Sequence, residues 1–475
     1  MKQSVKNNII ELFKNHFNES VSNFEELPPS TSYREYCRLA NAGRSVIGVF
    51  NADIKENEAF LYFAKHFRNN NIYAPEVYAV NKEKTVYIIE DLGDTTLFRF
   101  LSATREAEGF SDKLVAVYKK VVKELPRIQV LAGKDIDYSY CYPRAAFDKQ
   151  SMMWDLNYFK YHFLKLAKIP FDEQALEDDF LVFSNYLFSA PNNYFLYRDF
   201  QSRNVMLKGG DICFIDFQGG RKGPLQYDIA SLLYDGKADI PQPIREELLG
   251  YYLSELKKYI KIDEAGFKDY FKGFVLIRIM QAMGAYGFRG FYEKKEHFLK
   301  SIPYAMDNLQ FLLQGLNLPI RIPELIKVLT TVSQSEILRE IGRNHKGLTV
   351  RVTSFSYKKG IPDDLTGNGG GFVFDCRAIN NPGRLKQFKE LTGKDKAVQE
   401  FLINQSKMNE FMELVYKLVG LSVRNYFKRG FSSLAVNFGC TGGQHRSVFA
   451  AEKMAEYLKD NFPVNVILSH REQIL

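Results

Sequence analysis

The sequence lacks the segments that would carry it across or into a membrane. Its first residues, Met-Lys-Gln-Ser-Val-Lys-Asn-Asn, contain no apolar core of a signal peptide, and no apolar run approaches the roughly 18 residues that a membrane span needs. The five cysteines are odd in number, scattered and never spaced as Cys-x-x-Cys, which argues against a disulfide framework and a zinc site. These absences predict a cytoplasmic protein without a membrane partner.

Length and charge narrow the remaining classes of protein. The 475 residues exceed what one hydrophobic core supports and predict about two to four folding units. With 45% hydrophobic and 25% charged residues, the composition is that of an ordered globular protein. The formal net charge is +8, and most of the excess lies after Gly347. On charge alone, a solvated basic surface and a nucleic-acid site are equally supported.

The first two thirds of the chain change from a β-rich to a helical pattern. Two short β-branched runs, Ser45-Val-Ile-Gly-Val-Phe and Thr85-Val-Tyr-Ile-Ile-Glu, predict strands. Between them, apolar residues recur at helical spacing over 56–68. From about 95 to 314 the pattern is mostly helical, except for two short apolar runs around a polar loop within 193–223. We therefore expect an α+β domain whose helical lobe carries a small β-insert.

A second domain is predicted after two closely spaced prolines in Asn317-Leu-Pro-Ile-Arg-Ile-Pro. A helical stretch over 324–341 follows, and strands beginning at Leu348-Thr-Val-Arg-Val then alternate with helices near 397–427 and 446–460. That alternation predicts an α/β domain with a mainly parallel sheet. The expected segments are a first domain over 1–320, a helical linker over 321–346 and a second domain over 347–475.

Three polar residues around the β-insert form a pattern typical of phosphoryl transfer. Asp199 and Asn204 lie in one loop, and Asp216 follows the next short strand, in Asp-Phe-Gln-Gly. Phosphoryl transfer needs a carboxylate for the attacking hydroxyl and two oxygen ligands that hold magnesium against the triphosphate. In protein kinases the corresponding Asp, Asn and Asp have comparable spacing. The alternative is a set of ordinary turn residues, and three matching spacings argue against it.

Three neighbouring residues are open to two interpretations. Arg198 and Arg203 either neutralise phosphate charge or make surface salt bridges. Asp228, in Tyr-Asp-Ile-Ala-Ser-Leu-Leu, is predicted to cap the N-terminus of a helix rather than to take part in catalysis.

Several segments together resemble the aminoglycoside phosphotransferase family, over about residues 10 to 315. They are Ser32-Tyr-Arg-Glu-Tyr-Cys-Arg-Leu, Ile88-Ile-Glu-Asp-Leu-Gly-Asp, Arg198-Asp-Phe-Gln-Ser-Arg-Asn-Val-Met, and Ile215-Asp-Phe-Gln-Gly with Gly223-Pro-Leu-Gln-Tyr-Asp-Ile-Ala. Within that family they are most similar to the anomeric kinases of N-acetylmuramate and N-acetylglucosamine. The resemblance implies an α+β protein-kinase-like bilobal fold, with ATP and Mg²⁺ as cofactors.

The resemblance also implies roles for individual residues. Asp199 would be the catalytic base, and Asn204 and Asp216 would be the magnesium ligands. The implied nucleotide-binding residues are Glu90, Asp91 and Leu92 at the hinge that meets adenine, and Ser32, Tyr33 and Arg34 at the start of the phosphate-covering β-turn.

The sequence departs from the wider pattern of kinase-like folds in two places. The strand Val46-Ile-Gly-Val-Phe carries no lysine, although most such folds place one there to contact the α- and β-phosphates. Glu58 on the next helix therefore has no obvious partner. Tyr197 stands where many relatives have histidine. The phosphate clamp is thus unidentified by the sequence.

For the acceptor, the resemblance points to the segment from Phe147 to Phe159. Its Asp148 and Asp155 would hydrogen-bond sugar hydroxyls, and Arg203 completes the candidate substrate-binding residues. Phe147, Trp154 and Phe159 recur at roughly helical spacing, which favours core positions over a binding platform.

In the C-terminal part, a glycine-rich turn joins a strand to a helix in Ser433-Leu-Ala-Val-Asn-Phe-Gly-Cys-Thr-Gly-Gly-Gln-His-Arg-Ser-Val. Such a turn exposes backbone N–H groups that attract phosphate, and His445 and Arg446 supply charged donors. A purely structural turn is the first alternative. The second is a cysteine-dependent phosphatase, because Cys440 and Arg446 have the appropriate spacing, although Gly439 replaces the usual histidine and no acid is identifiable.

This part of the chain, over about 347 to 473, resembles the C-terminal domain of the RNase adaptor protein RapZ. The resemblance rests on Ser354-Phe-Ser-Tyr-Lys-Lys-Gly-Ile-Pro, Phe374-Asp-Cys-Arg with Asn381-Pro, Leu391-Thr-Gly-Lys-Asp and Gly439-Cys-Thr-Gly-Gly-Gln-His-Arg-Ser. It implies a sensor of phosphorylated glucosamine and, in some members, binding to small regulatory RNA. The implied phosphate-binding residues are Arg377, Thr441, Gly442, Gly443, His445 and Arg446.

Two features separate this chain from RapZ. A kinase-like domain replaces the N-terminal P-loop domain of that family, and the chain ends Ser-His-Arg-Glu-Gln-Ile-Leu without a basic tail, which argues against RNA binding. The two resemblances together predict a kinase that phosphorylates an amino sugar, fused to a domain that senses a hexosamine phosphate. The alternative is a catalytically weak kinase fold that serves as an RNA or protein adaptor. The oligomeric state is left open.

Overall fold

The computed structural model describes residues 1–28, 33–342, 347–362 and 370–473. The chain forms two compact units. The first comprises Met1–Tyr161, Ile169–Gly284 and Asp307–Ser333, and the second comprises His162–Lys168, Ala285–Met306 and Gln334–Leu475. Within the described ranges, no helix is both long enough and apolar enough to cross a bilayer. The predicted segment boundaries at 320 and 346 stay a prediction, as does the cytoplasmic location.

The strands found in the described residues are β1 (Asn23–Glu26), β2 (Glu35–Ala40), β3 (Ser45–Phe50), β4 (Val77–Val80), β5 (Val86–Glu90), β6 (Tyr194–Leu196), β7 (Val205–Lys208), β8 (Asp211–Phe214), β9 (Arg221–Gly223), β10 (Thr349–Ser356), β11 (Gly371–Asp375), β12 (Ser433–Cys440) and β13 (Asn465–His470).

The α-helices found there are α1 (Gln3–Phe17), α2 (Ile54–Asn69), α3 (Leu97–Glu108), α4 (Asp112–Pro126), α5 (Lys149–Phe159), α6 (Glu173–Phe188), α7 (Gln226–Leu233), α8 (Gln242–Leu256), α9 (Glu264–Tyr286), α10 (Glu296–Leu299), α11 (Ile302–Gln314), α12 (Pro323–Ser333), α13 (Glu336–Gly342), α14 (Lys396–Asn404), α15 (Met408–Lys428) and α16 (Arg446–Asn461).

In the first unit, β1 to β5 form a strand-rich lobe. The sheet is antiparallel with the order β1-β2-β3-β5-β4, so the two strands predicted from the sequence, β3 and β5, are confirmed and lie side by side. Helix α1 packs on this sheet and buries Ile9 and Phe13 against Leu39, Val46 and Ile88. Burial of such side chains is the main source of stability in a lobe of this size.

Helix α2 follows the strand β3 and contacts the helical lobe. Asp53 is the N-cap just before the helix, and its Oδ1 accepts a hydrogen bond from the Glu56 N–H at 3.1 Å. The apolar stripe predicted for this segment buries three phenylalanines. One of them, Phe60, stacks on Phe217 with ring centroids 5.2 Å apart and planes 7° from parallel. The helix therefore contacts the turn that follows β8.

The helical lobe carries the predicted β-insert as two small antiparallel hairpins, in which β6 pairs with β9 and β7 pairs with β8. Strands β6 and β8 correspond to the two apolar runs noted in the sequence. Strands β7 and β9 were not predicted, because they are short and lie next to polar residues. The loop over 197–204 joins β6 to β7, and because it carries the predicted base Asp199 it is called the catalytic loop below.

In the second unit, four parallel strands form one sheet with the order β11-β12-β10-β13. Helix α16 packs against β10, β12 and β13, and α15 packs against α16. The core between them includes Val350, Val436, Phe438, Val419 and Met454. The predicted α/β class with a mainly parallel sheet is confirmed, as is the α+β class of the first unit.

The helical region predicted near 397–427 is two helices, α14 and α15. Ser406 separates them: its Oγ donates to the Leu402 carbonyl at 2.5 Å and accepts from the Met408 N–H at 3.2 Å. A serine hydroxyl that donates to a carbonyl at the end of one helix and accepts an N–H at the start of the next is a common way to divide a helical run.

Candidate functional site

The start of the catalytic loop is anchored by a carboxylate from a distant helix. The Tyr197 N–H donates to Asp228 Oδ2 at 2.8 Å, and the Arg198 N–H donates to Asp228 Oδ1 at 2.9 Å. Arg198 has a left-handed backbone with φ of 82°, a conformation that costs free energy in a side-chain-bearing residue. The two hydrogen bonds stabilise this strained turn, and the turn presents the next residue, Asp199.

The prediction that Asp228 caps a helix is wrong. Helix α7 is preceded by Leu225, and Asp228 lies within its first turn, fully buried. Gln129 Nε2 adds a third hydrogen bond to its Oδ2 at 3.0 Å, and Tyr252 orients that glutamine by donating to Gln129 Oε1 at 2.6 Å. Burial raises the pKa of Asp228 to about 7, and the three N–H donors partly oppose that rise.

Arg198 turns inward, away from a phosphate-binding role. Its two terminal nitrogens donate to both Asp155 oxygens, at 2.8 and 2.6 Å, and its guanidinium lies 5.1 Å from the Phe147 ring centroid and 5.0 Å from that of Tyr227. Burial opposes its charge, but the Asp155 carboxylate outweighs this effect and raises the pKa of Arg198. Of the two interpretations, a salt bridge is correct, but it is largely shielded from solvent, with side-chain exposures of 15% for Arg198 and 8% for Asp155.

The two metal-ligand candidates lie side by side at the end of the loop. Asn204 Nδ2 donates to the Asp199 carbonyl at 2.8 Å and to Asp216 Oδ2 at 3.1 Å. Asp216 has φ of 68°, and Gln218 Nε2 donates to its Oδ1 at 2.7 Å. Carboxylate and amide oxygens suit Mg²⁺, which completes its shell with waters and phosphate oxygens rather than with a full protein cage. The residues present therefore fit this metal.

The carboxylate of Asp199 acts on the neighbouring carboxylate of Asp216. Although water reaches Asp216, protein atoms surround much of it, and this partial desolvation together with the negative charge of Asp199 raises the pKa of Asp216. Gln201 Nε2 lies 3.4 Å from Asp199 Oδ1. A cation placed between such groups would relieve their repulsion, as expected of a site built for a divalent ion and a triphosphate.

The predicted hinge residues lie at the end of β5 and directly after it, and their side chains are held by hydrogen bonds and ion pairs. Glu90 accepts from Tyr73 Oη at 2.6 Å and from Lys208 Nζ at 2.8 Å. Asp91 accepts from Arg38 Nε at 2.7 Å, and its carbonyl accepts from Lys208 Nζ at 2.9 Å. The side chains of the hinge thus brace the two lobes of the first unit, because Lys208 belongs to β7 of the helical lobe.

Leu92 belongs to a small apolar cluster beside the hinge. Leu92, Met206 and Cys213 are buried together, and Tyr73 and Ile215 pack against them. Ile215 immediately precedes the second metal-ligand candidate. An apolar surface between a hinge and a metal site suits the flat face of a purine. Of these residues, only Leu92 was predicted from the sequence.

The residues predicted to cover the phosphates are only partly described. Ser32 lies outside the described residues. Tyr33 is 99% exposed, whereas Arg34 is 5% exposed and its Nη2 lies 3.3 Å from Glu56 Oε1. Glu58, which had no obvious partner in the sequence, pairs with Lys84 at 2.5 Å on an exposed part of α2.

The predicted acceptor-binding residues are engaged by other protein groups. Asp148 caps α5, accepting from the Ser151 N–H at 2.9 Å, and it also pairs with Arg144. Arg203 lies over the Phe98 ring at 5.1 Å. Asp155, in turn, pairs with Arg198. A sugar hydroxyl that binds these residues would therefore have to share or displace the protein groups that already contact them. The role of these residues stays a prediction.

The aromatic residues of this segment divide into two groups. Phe147 and Phe159 are buried, which confirms the core positions expected for them. Trp154 is 47% exposed, so the core prediction is wrong there. The guanidinium of Arg144 lies 5.4 Å from the Trp154 ring centroid. Helix α5 also carries Asp155, which pairs with Arg198, the residue before the candidate base Asp199. The exposed Trp154 ring therefore belongs to a helix beside the catalytic loop.

The glycine-rich turn of the second unit joins β12 to α16, as predicted. Thr441 and Gly442 are exposed, and the Thr441 carbonyl accepts from Ser356 Oγ at 2.7 Å. Gly443 has φ of 68°, a conformation that favours glycine. An added Cβ at Gly442 would meet no atom within 4 Å. The turn therefore presents a small, open surface at a helix N-terminus.

The charged residues predicted for this turn face inward. Arg446 is 4% exposed, and its Nη1 donates to the carbonyls of Arg377 and Ile379 at 3.1 and 2.8 Å. The ring of His445 is buried, with Nε2 2.8 Å from the Phe388 carbonyl. By contrast, Arg377 is exposed, pairs with Asp375 at 2.7 Å, and is the cation of the predicted set that a ligand can reach directly.

Cys440 has an environment that stabilises a thiolate. Burial opposes ionisation, but the Ser447 hydroxyl at 3.1 Å and the Gly443 N–H at 3.2 Å hydrogen-bond the sulfur, and with the charge of Arg446 they lower the pKa of Cys440. The side chain is only 3% exposed. This burial, and the donation of Arg446 Nη1 to backbone carbonyls, argue against attack on a phosphate ester.

The fold and the paired Asp, Asn and Asp residues define a kinase that transfers a phosphoryl group to a hydroxyl acceptor. The model of the Phosphotransferase enzyme family matches residues 26–264, about half of the chain, and the chain belongs to this family. The model of the RapZ C-terminal domain matches residues 348–474. The chain thus combines a domain of this phosphotransferase family with a segment that matches the RapZ C-terminal domain, as the two resemblances predicted.

Individual relatives are similar to parts of the chain. A nucleotide-binding protein of Thermosipho africanus is 35% identical over 139 residues, 29% of this chain and 47% of that protein. One of Thermosipho melanesiensis is 39% identical over 127 residues, 27% of this chain and 43% of that protein. The matched region is thus less than half the length of either relative. Among solved structures, choline kinase from Cryptosporidium parvum Iowa II has 13% identity and a TM-score of 0.47, covering 68% of this chain and 99% of its own.

Sequence reasoning missed the residues that support the site from a distance. Asp228 directly precedes the apolar run Ile-Ala-Ser-Leu-Leu, and a carboxylate beside such a run could have indicated a buried partner. Gln218, two residues after Asp216, carried no signal beyond its place in the turn. The Gln129 contact joins residues far apart in the chain, and no local pattern indicates it.

Proposed function

We propose that the first unit transfers the γ-phosphoryl group of ATP to a hydroxyl of an amino sugar of the N-acetylmuramate or N-acetylglucosamine type. The observation that carries this proposal is the juxtaposition of Asp199, Asn204 and Asp216 on a loop that Asp228 holds in a strained conformation. Such preorganisation of oxygen ligands and a base is what phosphoryl transfer requires, since positioning and electrostatics supply most of the catalysis.

Each residue has a distinct task in this proposal. Asp199 accepts a hydrogen bond from the acceptor hydroxyl, orients it and takes its proton as the phosphoryl group is transferred. Asn204 and Asp216 would hold Mg²⁺. When bound, the ion neutralises phosphate charge. Asn204 has a second task, because its amide also ties the Asp199 carbonyl to Asp216 and keeps the base beside the metal ligands.

The amino-sugar class is supported by the resemblance to the anomeric sugar kinases and by the helix beside the catalytic loop. On α5, the exposed Trp154 offers the aromatic face that sugar rings commonly pack against, and Asp148 offers a carboxylate. The domain fused to this kinase resembles a sensor of phosphorylated glucosamine. The proposed kinase would then make the same class of molecule, a phosphorylated amino sugar, that the fused domain would bind.

A panel of acceptors tests the enzyme. ATP consumption is measured with amino sugars, aminoglycosides and choline, and the product is located by NMR. We expect turnover with an amino sugar, phosphorylation at the anomeric oxygen, and loss of turnover in Asp199→Asn. Asp211→Asn, an exposed carboxylate in the hairpin of β7 and β8, is the matched control and should retain activity. Turnover with choline alone would exclude the sugar class.

The absence of turnover with every acceptor would favour the alternative, a kinase fold that acts as an adaptor. The feature that favours this alternative is the strand β3 without a lysine. RNA binding by the second unit belongs to the same alternative. A filter-binding titration with structured RNA at two salt concentrations would detect it, because phosphate contacts weaken as salt rises.

We further propose that the turn over 441–443 binds the phosphate of a hexosamine phosphate. Supporting this are the exposed residues Thr441 and Gly442 just before the 16-residue helix α16, the open surface at Gly442 and the exposed guanidinium of Arg377. His445 and Arg446 then shape the pocket from within by tying down the backbone of 377–379 and 388.

Titration calorimetry with glucosamine phosphate tests this pocket. Gly442→Val adds a side chain where no atom lies within 4 Å, so it should fold normally and block the ligand. Arg377→Ala should weaken binding, whereas Arg384→Ala, an exposed arginine on a neighbouring loop, should not. Unchanged affinity in Gly442→Val would exclude the turn as the phosphate site.

A further inference from the structure

The phosphate clamp of the kinase unit is the feature that the sequence left unidentified. A phosphotransferase needs a cation on the α- and β-phosphates, and β3 carries none. Four cationic side chains around the site are engaged elsewhere: Arg198 by Asp155, Arg203 over Phe98, Lys208 by Glu90 and Arg38 by Asp91.

Arg34 occupies a different position from these four. It lies one residue before β2, is 5% exposed, and its Nη2 is 3.3 Å from Glu56 Oε1 in the first turn of α2. Its guanidinium carbon lies 5.8 Å from the Phe60 ring centroid. An arginine joined to a glutamate on this helix reproduces the cation–carboxylate pair that kinases form between a strand lysine and a helix glutamate.

Aromatic stacking connects Arg34 to the metal-ligand turn. Phe60 lies beneath the guanidinium and stacks on Phe217, which directly follows Asp216. The guanidinium, the Phe60 ring and the Phe217 ring thus form a continuous stack that ends at the residue next to the metal-ligand candidate.

Glu56 is itself fixed in place. Its Oε2 accepts from Asn51 Nδ2 at 2.7 Å, and its N–H donates to the cap residue Asp53 at 3.1 Å. Glu58, the glutamate considered from the sequence, is two residues further along α2, which rotates it by about 200° around the helix axis. Its partner is Lys84. The helix thus directs Glu56, and not Glu58, toward the site.

We propose that Arg34, positioned by Glu56, binds the α- and β-phosphates of the nucleotide in place of the strand lysine. A guanidinium has five N–H donors, so it can serve a carboxylate and a phosphate at once, which an ammonium does less well. This assignment rests on the proposed function, since it requires that ATP binds to the kinase unit.

Isothermal titration of the full chain with ATP and with adenosine tests the assignment. Arg34→Met should raise the Kd of ATP by about 10- to 100-fold, the effect of losing a charge-assisted hydrogen bond, and leave the Kd of adenosine unchanged. Arg34→Lys should recover part of the loss. Glu56→Gln should weaken ATP binding about two- to tenfold, because it frees the guanidinium from its partner.

Two control variants remove an arginine or a glutamate that does not belong to the pair of Arg34 and Glu56. Arg44→Ala removes an arginine that pairs with Glu19, and Glu58→Gln removes the exposed glutamate of α2. Both should bind ATP like the wild type. Wild-type affinity for adenosine in Arg34→Met shows that the variant is folded. Loss of adenosine binding in Arg34→Met and Arg34→Lys alike would overturn the assignment in favour of a structural role.

The possible failures are distinguishable. If the wild type binds no ATP, both the proposed function and the clamp are overturned. If the wild type binds ATP and Arg34→Met binds it equally well, only the clamp is overturned. A loss of ATP and adenosine affinity by the same factor would likewise reject the clamp, since a phosphate contact cannot affect a ligand without phosphates.

Discussion

Replacing Asp228 with asparagine should separate activity from stability. The carboxylate accepts the N–H groups of Tyr197 and Arg198 with different oxygens, and an amide offers only one oxygen to the two donors. The start of the catalytic loop should therefore shift. A displacement of about 1 Å at a reacting group costs on the order of 100-fold in rate, so we expect turnover to fall by about 10- to 100-fold.

Stability should change in the opposite direction at pH 8. Burial raises the pKa of Asp228 from near 4 to about 7, so an ionised carboxylate in the fold costs about 3 pKa units, or about 4 kcal/mol, relative to its neutral form. An amide has no charge to bury but loses one or two of the three hydrogen bonds, each with a net contribution of about 1–1.5 kcal/mol. We expect Asp228→Asn to be more stable than the wild type by about 1–3 kcal/mol.

The sign of the pH dependence follows from the raised pKa. Between about pH 4 and pH 7 the folded protein keeps a proton that the unfolded chain releases, so the free energy of unfolding of the wild type falls as pH rises. The variant lacks this dependence. Its advantage should shrink from pH 8 toward pH 4, with a slope of up to about 1.4 kcal/mol per pH unit below pH 7.

Urea unfolding at several pH values, together with turnover at pH 8, measures both effects. Asp239→Asn is the control, because this exposed residue has φ of 47°, a conformation that asparagine tolerates well. A variant that is less stable than the wild type at pH 8 and equally active would refute the reasoning. So would a stability difference that does not change with pH.

Three other substitutions give sharp expectations. Asp155→Asn should destabilise the first unit by about 1–3 kcal/mol, seen in urea unfolding, because it removes the charge from the acceptor of the largely shielded Arg198. Gly220→Ala should lower the thermal unfolding midpoint, since an added Cβ would lie 2.2 Å from an aromatic ring atom, whereas Gly219→Ala meets its nearest atoms at 3.9 Å and should match the wild type. Cys440→Ser should keep its affinity for glucosamine phosphate, and hydrolysis of an aryl phosphate by the wild type but not by this variant would instead support the phosphatase alternative.

Local patterns were sufficient for much of the architecture. Short β-branched runs predicted β3 and β5, and the alternation of strands and helices predicted the parallel sheet of the second unit. Asp199, Asn204 and Asp216 could be recognised because phosphoryl transfer needs these groups at short spacings along one stretch of chain. Helix boundaries were less predictable: the break at Ser406 depends on one side-chain hydroxyl.

The supporting contacts could not be predicted in this way. Asp228 was expected to cap a helix, and Asp155 to face a sugar, because each was judged from its immediate neighbours. In the structure both hold the catalytic loop, across 30 and 43 positions of sequence respectively. The pair of Arg34 and Glu56 likewise joins a strand to a helix, and no periodicity of either segment indicates it.

The sequence by itself therefore determined the class of chemistry, since the predicted reacting groups of the kinase unit and the glycine-rich turn lie in short contiguous motifs. Tertiary structure decided which charged residues are exposed to ligands. Burial makes an unpaired charge so costly that Arg198 and Arg446 are directed to protein partners, whereas Arg377 stays exposed beside Asp375.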